Sequence, residues 1–268
     1  MNTFFAFFIL LFQNHFGNFE KAKAISIDVN GNIFVVDEEN CFVQKFSLNG
    51  DSIISIGNCG WGDFQFQFPK DIFAKNGLDV FVADFENHRV QRFDKHLNFI
   101  ASFSTYENEN LENRFRFVQS VVVNSKNEIH ILDGENKRVL KFSDFSKNVE
   151  KIIGGIDAGS GKIKFPVQIE FDSLNQLYVL EKNKIICFDE FGNYFFTIGN
   201  EVLKNANGFS IYDDKIYVAD DSSLKIFFLQ GKFFEEKKFD FKIQDVALYE
   251  NKIFLLNEKK FFLYEEKK

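Results

Sequence analysis

The chain has 268 residues, 45% of them hydrophobic and 18% aromatic, and a formal net charge of -7. The acidic balance speaks against a nucleic-acid partner, whose phosphates demand a basic face. The length and apolar share fit one large all-β unit as well as two ordinary domains. Three cysteines without a CxxC pair offer neither a zinc framework nor a disulfide scaffold, so Cys41, Cys59 and Cys187 are expected to be free thiols.

The chain opens with an apolar run, Phe4 to Phe12 (FFAFFILLF). Two readings stand side by side, a strand and the core of a secretory signal peptide. No Lys or Arg precedes the run, and the first small-x-small site, Ala22-Lys23-Ala24, lies well beyond it, past Glu20 and Lys21. A strand is therefore expected, and with it a cytoplasmic chain. A periplasmic or secreted chain is the alternative if residues 1–24 are a signal peptide. The run is too short to cross a bilayer as a helix, and no membrane span is expected.

From there a single unit recurs. Strands of one shape end at Asp37 (NIFVVD), Asp84 (DVFVAD), Asp133 (EIHILD), Glu181 (QLYVLE), Asp220 (KIYVAD) and Asn257 (KIFLLN), at spacings of 47, 49, 48, 39 and 37 residues. Periods of this size mark a repeated sheet, not a solenoid of helix pairs. Each unit begins with a short alternating strand, such as AISIDV, and a tight polar turn such as Asn30-Gly31-Asn32. The central strand follows, then a third strand such as RVQRFD and a more variable fourth such as SIISIG. The last unit has only three strands before Lys268. The predicted fold is all-β, a six-bladed β-propeller of four-stranded antiparallel blades that leaves only short edges. Its single domain spans 1–268, with blades at 24–58, 71–104, 120–154, 168–199, 208–237 and 245–265, the last closed by the N-terminal strand 4–12.

Unit two reads Phe68-Pro69, Ile72, Val82, Asp84, Asn87-His88-Arg89-Val90 and Phe93-Asp94. This resembles the NHL repeat, whose pattern runs G-x-F-x-x-P-x-G-I, a strand ending V-x-D, then N-H-R-[IV]-x-x-F-D. Unit three keeps Asp133, Asn136, Arg138-Val139 and Phe142; unit one keeps Asp37, Asn40 and Phe46 but has Cys41-Phe42 in place of His-Arg. Units four to six lose the Asn-x-Arg turn. The resemblance implies a six-bladed propeller, and domains of this family mostly mediate interactions.

No catalytic constellation is legible. His88 falls in the turn between second and third strands, and His15, His96 and His130 fall at other places, so no metal-binding ring forms. Asp84 with Arg89, and Asp133 with Arg138, read as architecture. Asn87 and Asn136 fit a turn position of positive φ. The stretch GGIDAGSGK (Gly154 to Lys162) lacks the spacing of a phosphate loop. Aligned units place Ala24, Asp71, Ser120, Gln168, Gly208 and Asp245 on one ring around the axis. The ring before it holds Lys23, Lys70, Gln119, Val167, Asn207 and Gln244. The ligand-binding rim is accordingly assigned to Lys70, Asp71, Gln119, Gln168, Asn207, Gln244 and Asp245. No dedicated metal residues and no cofactor are expected, beyond a weak axial divalent cation, since two carboxylates fall short of the six or more oxygens a hard cation wants.

The expected function is a non-catalytic scaffold, a monomer, that binds a protein or peptide through mouth loops such as Trp61-Gly62-Asp63-Phe64. The alternative is a metal-dependent lactonase- or lyase-like propeller enzyme with an axial site.

Overall fold

The computed structural model describes residues 9–143 and 146–267. Six four-stranded antiparallel sheets stand in a ring. Their inner strands are Ala22–Ile27, Pro69–Phe73, Val118–Val123, Pro166–Phe171, Ala206–Tyr212 and Asp245–Tyr249. Each touches the inner strand of both neighbours, so the circle is closed.

Burial follows position in the blade. The second strands Ile33–Asp37 and Leu177–Glu181 are buried throughout, because a neighbouring blade covers each face. The outer strand Ser52–Ile56 is almost wholly exposed. Between blades the widening gap is filled by aromatic wedges. Phe103 meets Phe142 at 5.0 Å between ring centres, and Phe46 meets Phe261 at 5.1 Å, both edge-on. The apolar clusters straddle adjacent blades: one joins blades six and one, another blades one and two. The phenylalanine excess thus has a structural outlet.

The ring closes with the N-terminal segment beside the last strand of the chain, as predicted. Among the described residues the strand is Ile9–Phe16, running four residues past the predicted end at Phe12; it pairs antiparallel with Phe261–Lys267, from Ile9 opposite Lys267 to Phe16 opposite Phe261. Phe4 to Phe8 lie outside the described residues. Pairing runs on past a bulge at Gln13 through the polar residues Asn14 and His15 because strand bonding uses backbone groups, while Phe16 seals the cluster between blades six and one.

Two local expectations are corrected. Cys41 and Cys59 form a disulfide, with Cα atoms 5.0 Å apart, so only Cys187 is a free, buried thiol among the described residues. Spacing alone did not reveal this, because the bridge joins a blade-one turn to the connector that leads to blade two. Positive φ falls not on Asn87 and Asn136 but one residue later, on His88 (52°) and Lys137 (53°), and on Cys41 (53°) in blade one. The asparagines instead spend their side chains on the strand-end acids: Asn87 donates to Asp84 at 2.8 Å and Asn136 to Asp133 at 2.7 Å.

Candidate binding face and axial ring

In an antiparallel four-stranded blade, three features share one face of the disc: the starts of the inner strands, the turns between second and third strands, and the connectors between blades. The rim residues predicted from sequence therefore all belong to this face or lie just below it.

The strand-end acids act as clamps for the connectors. Asp37 accepts from the backbone N–H of Glu20 at 2.7 Å and Lys21 at 3.0 Å; Asp84 accepts from Gln67 at 2.7 Å. Asp133 takes Arg116, Glu181 takes Lys164 and Phe165, and Asp220 takes Asn205 at 2.6 Å. Each acid thus holds the segment that feeds its own inner strand.

The register supports the aligned ring. Ala24, Asp71, Ser120, Gln168, Gly208 and Asp245 each lie opposite the residue just before the strand-end position, and in blades one to five a bulge precedes them. Four of these side chains, Asp71, Ser120, Gln168 and Asp245, lace one inner strand to the next. Asp245 accepts from Ile25 N–H at 3.0 Å across the closure. Asp71 accepts from the Ser120 hydroxyl and from Val121 N–H at 3.3 Å. Ser120 accepts from Ile169 N–H at 3.1 Å, and Gln168 from Phe209 N–H at 2.8 Å, while the Gln168 amide donates to Asp71 at 3.2 Å. One tier deeper, Ser26 accepts from Ala74 N–H and Glu170 from Ile211 N–H, each at 3.0 Å. Inner strands face the axis with backbone N–H groups that no further strand pairs, and buried donors require partners. Gly208 belongs to the same device. A β-carbon there would stand 2.2 Å from a carboxylate oxygen of Asp245.

The axis is therefore filled. Between the ring and the opposite mouth, a void of about 30 Å³ lies among Asp71, Lys75, Gln168 and their neighbours, room for about one water. Burial pushes Asp71 up to about 6, against the donors Ser120, Ile72, Val121 and Gln168. Burial, with Asp71 nearby, pushes Asp245 up to about 8. Both carboxylates spend their oxygens on N–H and O–H donors. Among the described residues no cluster of His, Cys, Asp or Glu is arranged to hold a metal, and the ring as built does not fit a hard cation.

Above the ring lies a shallow funnel. Lys70 pairs with Glu38 at 2.6 Å, and Lys21 reaches the same carboxylate at 3.6 Å. Asn207 accepts from Lys182 at 3.2 Å and donates to the Ile243 carbonyl at 3.0 Å; Gln244 donates to Glu258 at 3.2 Å. Gln119 makes no side-chain hydrogen bond. The structure thus separates the predicted rim into two groups. Lys70, Gln119, Asn207 and Gln244 face the funnel, whereas Asp71, Gln168 and Asp245 belong to the lacing beneath it.

Sequence reasoning did not assign Lys23 or Lys182 to the site. Lys182 follows Glu181 just as Glu38 follows Asp37, which was the available signal. Lys23 sits deep in the concavity while keeping some contact with solvent. Burial first, and Lys70 second, lower its ammonium to about 8. Around the funnel, the connectors carry exposed apolar side chains: Trp61 (71% exposed), Phe64, Tyr106, Leu111, Ile156 (77%) and Phe165.

Fold and ring define a six-bladed β-propeller whose blades are tied by strand-end acids. Comparison with known proteins agrees. The NHL repeat family model matches residues 66–93, and this match and the six-bladed propeller agree with the NHL resemblance read from the sequence. A probable peptidyl-alpha-hydroxyglycine alpha-amidating lyase of Caenorhabditis elegans is 32% identical over 134 residues, covering 47% of this chain and 38% of that protein. Protein brain tumor of Drosophila melanogaster is 24% identical over 128 residues, covering 47% of this chain and 12% of that one. The matches thus span well under half the length of these relatives. Among solved structures, virginiamycin B lyase from Staphylococcus aureus superposes with a TM-score of 0.67 at 11% identity, over 96% of this chain and 99% of that one. A protein of unknown function from Bacteroides thetaiotaomicron gives 0.70 at 13%, over 93% and 70%. At such identities the likeness concerns the fold alone. Among the described residues, no helix is long and apolar enough to cross a membrane.

Proposed function

We propose that this propeller is a non-catalytic recognition platform, with a protein or peptide seated on the connector face. The observation that carries the reading is the apolar crescent from Trp61 through Ile156 to Phe165, presented on connectors that the strand-end acids and their arginines hold in place. Exposed aromatic and aliphatic groups grouped on one rigid face mark interaction sites. The test is selection of a displayed random-peptide library on the full chain. Enriched peptides are expected to share a consensus and to bind Trp61→Ala/Ile156→Asp at least tenfold more weakly. The reading fails if no consensus emerges, or if the peptides bind the double variant as tightly as the wild type.

A lyase-like enzyme is the second reading, favoured by the 32% identity to the Caenorhabditis elegans lyase. In its metal-dependent form it requires stoichiometric calcium or zinc that disappears in Asp71→Ala/Asp245→Ala. Elemental analysis of the purified chain, with an assay of peptidyl-α-hydroxyglycine cleavage, decides it.

The Cys41–Cys59 bridge favours an oxidising compartment, and so the exported alternative. Acid-quenched chain from its native source should then titrate one thiol after denaturation. Three thiols would return it to a reducing compartment.

A further inference from the structure

Lys23 lies close enough to Lys70 and Lys182 for their charges to repel its ammonium, and the partners of the three are unequal. Lys70 is matched by Glu38, and Glu258 is engaged by Gln244. Lys182 touches only the neutral side-chain oxygen of Asn207. Among the described residues Lys23 takes no hydrogen bond or close ion pair, and the Gln119 carboxamide beside this ring is equally unengaged.

We propose that the funnel is an oxyanion site, in which Lys23 and Lys182, with the amide of Gln119, receive a carboxylate or phosphoryl group of a ligand. Solvated lysines on an open surface are the competing explanation. The positions argue against it. Lys23 and Lys182 are both lowered by burial first and then by a like charge, Lys70 for one and Lys242 for the other. Groups held in that way gain from an anion, which offsets both desolvation and mutual repulsion. The floor does not oppose it, because Asp245, at about 8, is largely uncharged at neutral pH. Of the acids named at the mouth, Glu38 and Glu258 each already have a donor.

The inference stands apart from the platform reading, which rests on the apolar crescent; either can fail while the other holds. The experiment is titration of the full chain with sodium phosphate and, separately, sodium acetate, by calorimetry and thermal shift at constant ionic strength and pH 7. Saturable binding is expected. Lys23→Gln should weaken it by roughly tenfold, the scale of one hydrogen bond to a charged group. Lys23→Arg should retain it, and Lys126→Gln, an exposed lysine paired with Glu190 elsewhere, should leave it unchanged. Lys182→Gln is the second variant, should Lys23→Gln fold poorly. Binding of phosphate alone assigns a phosphoryl group, and binding of acetate alone a carboxylate. The proposal is overturned if neither anion saturates, or if both glutamine variants bind as the wild type does.

Discussion

Blades two and three tie their connectors with arginine; blades four and five do the same job with lysine from altered positions. In blade two, Arg89 lies opposite Asp84, donates to it at 2.7 Å, and reaches the carbonyls of Trp61, Gly62 and Gln65 at 2.8 to 2.9 Å. Arg138 does likewise with Asp133 and with the Glu112 and Arg114 carbonyls. In blade four the turn is two residues shorter, and Lys184 faces Glu181 at 3.4 Å. In blade five Ser223 stands opposite Asp220, and the cation moves two places along the strand to Lys225, where blade two has Gln91. Lys225 nevertheless donates to both Asp220 and the Val202 carbonyl at 2.6 Å. The constraint is on the clamp rather than on the letters of the motif: blades two, three and five share a buried acid, a cation and a connector carbonyl, and blade four keeps the acid and the cation.

The sharpest break of that comparison is Arg89→Ala. It leaves a fully buried carboxylate with neutral donors alone and frees three carbonyls, and removing the charged partner of such a pair costs about 4 kcal/mol. Lys184→Ala leaves Glu181 with its two backbone donors and should cost about 2 kcal/mol. Urea midpoints at unchanged m-value read both. Equal losses would mean that the arginine fork adds nothing over a lysine.

This pair also shows what was legible. Six blades, the closure and the axial ring follow from strand period and terminal acids, because backbone spacing survives substitution. Asp84 and Arg89 were readable as architecture, since they sit across one turn. Glu181–Lys184 and Asp220–Lys225 were not, because a shortened turn moves the cation off the motif. The lacing by Asp71, Gln168 and Asp245 was hidden for another reason. Whether a ring carboxylate meets a ligand or a neighbour's N–H depends on how tightly the inner strands approach, which no periodicity reports. The Cys41–Cys59 contact is equally a matter of where a connector folds back.

Blade one departs from blades two and three at the residue of positive φ. There Cys41 bonds to Cys59, while in blade three the Lys137 side chain makes no hydrogen bond or ion pair among the described residues. A loop with a sequence separation of 18 loses about 3 kcal/mol of stability when opened, in the chain-entropy account. Reduction by dithiothreitol should produce that loss and leave the Cys41→Ala/Cys59→Ala variant unchanged. If reduction affects both alike, the bridge contributes nothing.

The two halves of the ring also differ in how they hold a buried acid. Asp71 has Ser120, Val121 and Gln168 as donors and stands at about 6; Asp245 has Ile25 and Val246 and stands at about 8. Both lie above the unfolded value of about 3.9. The fold therefore binds these protons more tightly than the unfolded chain, and their contribution is full below about pH 4. It is lost as pH rises, through about 6 for Asp71 and through about 8 for Asp245. Between pH 6 and 8 the loss from Asp245 approaches at most about 1.4 kcal/mol per pH unit. Asp245→Asn keeps an acceptor for Ile25 and should flatten the thermal-stability profile over that window. Parallel profiles for variant and wild type would refute the assignment.

The smallest effect concerns His88, the blade-two counterpart of Cys41. Its Nδ1 accepts from Phe117 N–H at 3.0 Å, and its ring meets Phe117 edge-on at 4.5 Å. One neutral hydrogen bond contributes about 1 kcal/mol, and His88→Ala should lose that much. The backbone separates this from a mere change of turn residue. At φ 52° a β-carbon is strained by roughly 1–2 kcal/mol, which glycine relieves. His88→Gly should therefore come close to wild type, while His88→Ala falls below it. If both variants match wild type, the histidine ties nothing. If His88→Gly falls as far as His88→Ala or further, the left-handed backbone carries no strain. The expected split would show that blade two uses a single side-chain bond where blade one uses a covalent link, to fix the same turn against the connector ahead of it.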